Sequence, residues 1–192
     1  MEKANNPNDL PMESSNTPVT GWHLATTPLE AVTPEFEWAL LRWYQAFDRY
    51  TLLALNMLGF HGITTSESLI MNIVRLHDRP KPANMIASLL NREDIQNVQY
   101  SLRKLLAAGL IVKAEGATGK NANLMVTNKG RRLCDEFASL RRQLLITHVA
   151  QLGNAEARLL YSAKTVSMLT GLYDEVGRTS TAYILHDISP DD

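Results

Sequence analysis

Residues 94–130 read DIQNVQYSLRKLLAAGLIVKAEGATGKNANLMVTNKG. Ile95, Val98, Leu102, Leu105 and Leu106 recur at steps of three and four, which predicts a helix with one inward stripe. Asp94 stands where that helix's N-cap belongs. The opposite face carries Gln96, Asn97, Tyr100, Arg103 and Lys104, with Gln99 at its border. Ala107-Ala108-Gly109 ends the helix, Leu110-Ile111-Val112 makes a strand, Gly116 to Asn123 a loop, and Leu124-Met125-Val126 a returning strand. Thr127 can cap whatever helix follows.

Working upstream, Pro82 opens a short helix in PANMIASLLN, with Met85, Ile86, Leu89 and Leu90 inward, and Asn91-Arg92-Glu93 forms a turn. Two short helices across a tight turn make a helix-turn-helix, and the hairpin behind them makes a wing. Before it, GITTSESLIMNIVRLHDRP offers a Thr or Ser cap and a helix that stops short of Pro80. Thr33-Pro34-Glu35 resembles the start of a longer helix running to about Leu58, where Gly59 stops it. Its apolar residues cover more faces than one core needs. Residues 1–32, rich in Asn, Pro, Ser and Thr and without apolar period, read as a disordered arm.

Downstream, Leu133, Phe137, Leu140, Leu144, Val149 and Leu152 predict a helix to Gly153. Leu159, Ala163, Val166, Leu169 and Tyr173 predict a last one, and residues 177–192 a loose tail. The expected fold is mainly α with a small β wing. A domain over 33–176 holds a winged helix-turn-helix at about 62–130, flanked by long helices at 34–58 and 128–175.

The chain has 192 residues, a formal net charge of -1 and one cysteine, Cys134, which falls on an inward stripe as a structural thiol. No disulfide framework follows, and a reducing compartment suits it. MEKANNPNDLPMESSNTP lacks an apolar h-region and no long apolar run appears, so neither export nor a membrane span is expected and the cytoplasm is the expected location. The charge is unevenly spread. Residues 64–133 hold eleven basic and five acidic residues, net +6, leaving eight basic and fifteen acidic residues elsewhere. A basic middle between acidic flanks suits a face that meets a polyanion. Enzymatic motifs are missing: there is no phosphate-cradling Gly-rich loop, GxSxG or HExxH. The five histidines are scattered without ligand spacing, so neither metal nor cofactor is expected.

In order and spacing, three stretches resemble the MarR family of winged helix-turn-helix regulators: ITTSESLIMNIV, PANMIASLLNREDIQNVQYSLRKLLAAGLI and LMVTNKG. The last is similar to the family's wing exit, Leu-Thr-x-x-Gly. Where the family often shows Asp-x-Arg in the wing, this chain has Ala117 to Asn121 with Lys120 as the only cation. The resemblance implies a homodimer assembled through the first and last two helices, bound to a pseudo-palindromic double-stranded DNA operator. The implied function is that of a transcriptional regulator, a repressor rather than an activator, open to a small-molecule effector. Base reading falls to Gln96, Asn97, Gln99 and Tyr100, since Asn and Gln bond two edge atoms of adenine. Phosphate contact falls to Lys81, Asn84, Arg92, Arg103, Lys113, Lys120 and Arg131. Trp43, Tyr44, Phe47, His61 and His77 lie on elements that can line an effector pocket. The alternative is a winged helix that docks proteins without reading DNA, which Glu93 and Asp94 beside the reading face favour.

Overall fold

The computed structural model describes residues 23–114 and 122–183, the side chains of 181–183 excepted. They divide into two units, one up to Arg131 and one from Arg132.

The first unit opens with α1, Pro28–Met57. Of two Thr-Pro pairs that could start this helix, the chain uses Thr27-Pro28 rather than Thr33-Pro34. Thr27 Oγ1 accepts the Glu30 amide at 3.3 Å, and Glu30 Oε2 accepts the Thr27 amide at 3.1 Å. Only this pair has a glutamate three residues on to close a capping box; the position three after Thr33 is Phe36. Pro34 is therefore buried inside the helix. The expected arm boundary at residue 32 moves back to the capping Thr27, and residues 1–22 lie outside the described ones.

α2 spans Thr65–Arg75 behind a second capping box, Thr64 with Glu67. A 3-10 turn at Leu76–Asp78 follows, with His77 and Asp78 at positive φ. α3 covers Ala83–Leu89 and α4 Ile95–Ala107. Gly109, at φ 66°, ends α4 in the left-handed region. The hairpin pairs β1, Ile111–Lys113, antiparallel to β2, Leu124–Val126, with Val112 opposite Met125. Lys81 adds a bridge on the far side of β2: its amide donates to Leu124 O at 3.1 Å, and its carbonyl accepts the Leu124 amide at 2.8 Å. Residues 115–121 of the wing loop lie outside the described ones.

The apolar stripes of the winged unit converge on one core, apart from Met85 and Leu89 of α3, which were expected inward and are exposed. Leu55, Ile70, Met71, Val74, Ile86, Val98, Leu105, Leu110 and Ile111 are all buried. Each such side chain contributes about 2 kcal/mol by leaving water, and together they set the angle at which α4 is presented. Thr127 pins the hairpin to the start of α5, Asn128–Arg141. Its hydroxyl donates to Gly109 O at 2.7 Å and accepts the Gly130 amide at 3.1 Å.

The second unit continues from α5 through a π-helical turn, Arg142–Ile146, into α6, Thr147–Val149. Asn154, at φ 54°, turns the chain into α7, Ala155–Tyr183. The helix runs through residue 177, where a tail was expected to begin, because neither Gly171 nor Gly177 ends it. Leu159, Leu160, Tyr161, Met168, Leu172 and Val176 of α7 are exposed. On α1, Trp38, Leu41, Trp43, Leu53 and Met57 are exposed as well. Among the described residues, no helix is long and apolar enough to cross a membrane.

Candidate nucleic-acid interface

The turn between α3 and α4 is held by backbone bonds that close the end of α3. The amides of Leu90 and Arg92 both donate to Ala87 O, at 3.1 and 3.0 Å, and the Asn91 amide to Ser88 O at 3.0 Å. Asn91 sits at φ 50°, which asparagine tolerates better than most residues. α4 leaves this turn with its polar face outward.

That face carries four of the five predicted polar side chains. Gln96, Asn97, Tyr100 and Arg103 are exposed, and Gln99 is half-buried beside them. Arg103 lies over the Tyr100 ring, 5.9 Å from its centroid, a cation–π contact that narrows the freedom of both. Lys104 departs from the expectation. Its ammonium turns inward, 2.5 Å from Glu67 Oε1, and Glu67 is only 2% exposed. The hydrogen bond to Glu67 raises the Lys104 pKa above the usual lysine range.

Asp94 also departs from it. It occupies the N-cap position of α4, yet its carboxylate accepts no bond from the helix's own amides. Arg92 Nε donates to Oδ1 at 2.8 Å, Arg92 Nη2 to Oδ2 at 2.6 Å, and Asn97 Nδ2 to Oδ2 at 2.9 Å. The Arg92 guanidinium, helped by the Asn97 amide, holds the Asp94 carboxyl well below the usual range. Arg92 Nη1 reaches Ser66 Oγ of α2 at 2.7 Å. The expected phosphate ligand Arg92 is thus already committed to two protein partners.

The other expected phosphate ligands separate clearly. Lys113, on β1, is exposed. Asn84 is exposed at the start of α3, its Oδ1 accepting the Met85 amide at 2.9 Å. Arg131 pairs with Asp78 at 2.6 Å. Lys120 lies outside the described residues. Lys81 corrects the expectation: it is 5% exposed, and its ammonium donates to the carbonyls of Leu76, Arg79 at 2.9 Å and Val74 at 3.2 Å. Burial lowers its pKa. It staples the end of α2, with its ammonium turned away from any phosphate. Lys129, which sequence reasoning passed over, donates to Ala108 O at 3.0 Å and closes the end of α4.

A cavity of about 390 Å³ lies between α4 and the wing, floored by Leu102, Leu106 and Leu124 and rimmed by Gln99, Arg103 and Lys113. None of the expected effector residues lines it. Trp43 and Phe47 stack on α1 with centroids 5.4 Å apart, and Tyr44 tilts against Phe47 at 6.5 Å. His61 meets Asn56 at 3.3 Å in the turn after α1. His77 is exposed in the turn after α2. Cys134 is half-buried. Among the described residues, no group of three metal-ligating side chains comes together.

Residues 63–130 match the family described as winged helix DNA-binding domain. A comparison with curated proteins finds no relative by sequence. Solved structures share the fold. MarR of Staphylococcus aureus, in complex with salicylate and kanamycin, is 18% identical with a TM-score of 0.60, covering 77% of this chain and 95% of its own. MepR of the same organism, in complex with DNA, is 22% identical with a TM-score of 0.58, covering 71% of this chain and 96% of its own. A further MarR family transcription regulator is 15% identical with a TM-score of 0.56, over 79% of this chain and 99% of its own. The fold is mainly helical with a two-stranded wing, as in those MarR-family proteins.

Proposed function

We propose that this chain, which carries the winged helix fold of MarR-family regulators, is a non-catalytic transcription regulator that reads double-stranded DNA. The observation that carries the reading is the outer face of α4, where Gln96, Asn97, Tyr100 and Arg103 stand exposed side by side. The cations behind them, Lys81 and Lys104, are turned to the protein's own oxygens. Amide side chains on a helix of this kind match the edges of adenine in the major groove, and Arg103 and Lys113 flank them as phosphate ligands. The DNA in the MepR complex supports the same reading. A DNA partner is compatible with the cytoplasmic location expected from the sequence.

The chain acts as a homodimer. Apolar side chains exposed on α1 and on α7 suit burial against a second copy. Two copies place two reading helices about one turn of B-DNA apart, roughly 34 Å, on a pseudo-palindromic site. Occupying such a site suits a repressor. A small-molecule effector acts near Trp43, Tyr44 and Phe47 of α1; that the S. aureus MarR structure is in complex with salicylate and kanamycin supports a small-molecule ligand, without fixing its place.

Selection from a randomised duplex library, followed by affinity measurements at low and physiological salt, tests the reading. Enrichment of a sequence with A·T pairs, bound far more weakly at higher salt, is the expected result. No enrichment, with affinity for a protein partner that salt barely changes, would sink it in favour of a docking module. Met168→Asp should turn a dimer into a monomer by light scattering.

A further inference from the structure

Asp94 sits at a position where aspartate ordinarily caps its helix, a role worth about 1 kcal/mol. Here it gives that up. Both carboxylate oxygens go to side chains: the Arg92 fork on one side and Asn97 Nδ2 on the other, at 2.6–2.9 Å. Arg92 is itself fixed from α2 by Ser66 Oγ at 2.7 Å. A chain of bonds runs from α2 through Arg92 and Asp94 to an exposed amide on the reading face. Departures from a local stability rule of this kind concentrate at functional positions.

An asparagine amide has two N–H donors and one carbonyl acceptor. Asp94 uses one donor of Asn97 and so orients the group, leaving one N–H and the carbonyl oxygen free. Those are the two groups that adenine N7 and N6 require. An untethered exposed asparagine must be ordered on binding, at a cost that lowers discrimination. The carboxylate beside it repels the phosphate backbone, and it also keeps Arg92 from a phosphate. On the assumption that α4 reads DNA, we infer that Asp94 is a positioning residue for sequence specificity: braced by Arg92, it holds the Asn97 amide in the orientation that reads adenine, trading general affinity for discrimination.

The test uses the full chain and two variants, Asp94→Ser and Asn97→Ala, each taken through selection from a randomised duplex library. Serine restores a good N-cap, so thermal unfolding of Asp94→Ser should match or exceed the wild type while the tether is gone. Asn97→Ala identifies the base pair that Asn97 reads. Asp94→Ser should flatten the preference at that same pair by roughly threefold to tenfold, the range expected when a side chain is no longer ordered in advance. Preferences at other pairs stay as in the wild type. Its affinity for unselected duplex should rise, with a salt dependence steeper by about one phosphate contact as Arg92 is released. An Asp94→Ser variant that keeps its preference at the Asn97 pair, or loses it at a different pair, overturns the inference. A wild-type chain that enriches no sequence overturns instead the DNA reading on which the inference rests.

Discussion

Lys104 Nζ lies 2.5 Å from Glu67 Oε1, while Oε2 of the same carboxylate accepts the Thr64 amide at 2.9 Å. One buried side chain therefore caps α2 and anchors the inner edge of α4. Glu67→Gln keeps a group able to close the cap and loses the charge opposite Lys104, so it should cost about 1 kcal/mol in urea unfolding. Glu67→Ala removes both roles and should cost about 3 kcal/mol. Equal losses for the two variants would show that the ion pair alone matters.

Lys81 allows a prediction in pH. Burial lowers its pKa in the folded chain, so between the folded and unfolded values the unfolded chain holds the extra proton and stability rises with pH. Lys81→Met loses three carbonyl contacts and should be less stable at neutral pH by about 1–3 kcal/mol. It also lacks the titration. Its deficit against the wild type should widen as pH climbs toward the ordinary lysine value and level off above it; a constant deficit would refute the linkage.

Two glycines should respond differently to alanine. A Cβ at Gly130 would lie 2.1 Å from Leu110 O and 3.0 Å from Leu110 C, backbone against backbone, where no rotamer change helps. At Gly109 a Cβ meets nothing within 4 Å, and the cost is the positive φ alone. Gly130→Ala should cost about 3 kcal/mol or more and Gly109→Ala about 1 kcal/mol. The reverse order in thermal unfolding would contradict the close approach of α5 to the start of β1.

On the reading face, charge and amide substitutions should separate. Arg103→Ala and Lys113→Ala should weaken binding to every duplex and lower the salt slope by about one each. Gln96→Ala should leave the slope alone and reduce discrimination at one base pair by about 1–3 kcal/mol. Identical signatures from both kinds of variant would mean that this face makes only phosphate contacts.

The winged unit was legible because its signals are local. Gly109, Pro82 and the three-and-four spacing of α4 set boundaries without help from distant residues. The start of α1 carries its signal too, in the Thr27 to Glu30 spacing, which competes in the sequence with the Thr33-Pro34-Glu35 run six residues on. Lys81 could not be read in this way. Nothing in LHDRPKPANM separates a lysine aimed at solvent from one folded back onto three carbonyls, because that choice is made when the 3-10 turn brings Val74, Leu76 and Arg79 around it. Asp94 shows the same limit: its position announced a cap, and only the neighbouring Arg92 and Asn97 redirect it.

The wide turn at Arg142–Ile146 is foreshadowed by the one five-residue step in its apolar series, from Leu144 to Val149. A π turn holds one residue more than an α turn, so it offsets the angular phase of everything after it by about 100°. Removing a single residue there would leave the helix continuous and redirect Thr147–Val149 around its axis. Residue count in this segment thus acts as an angular setting, one that no like-for-like substitution can reproduce.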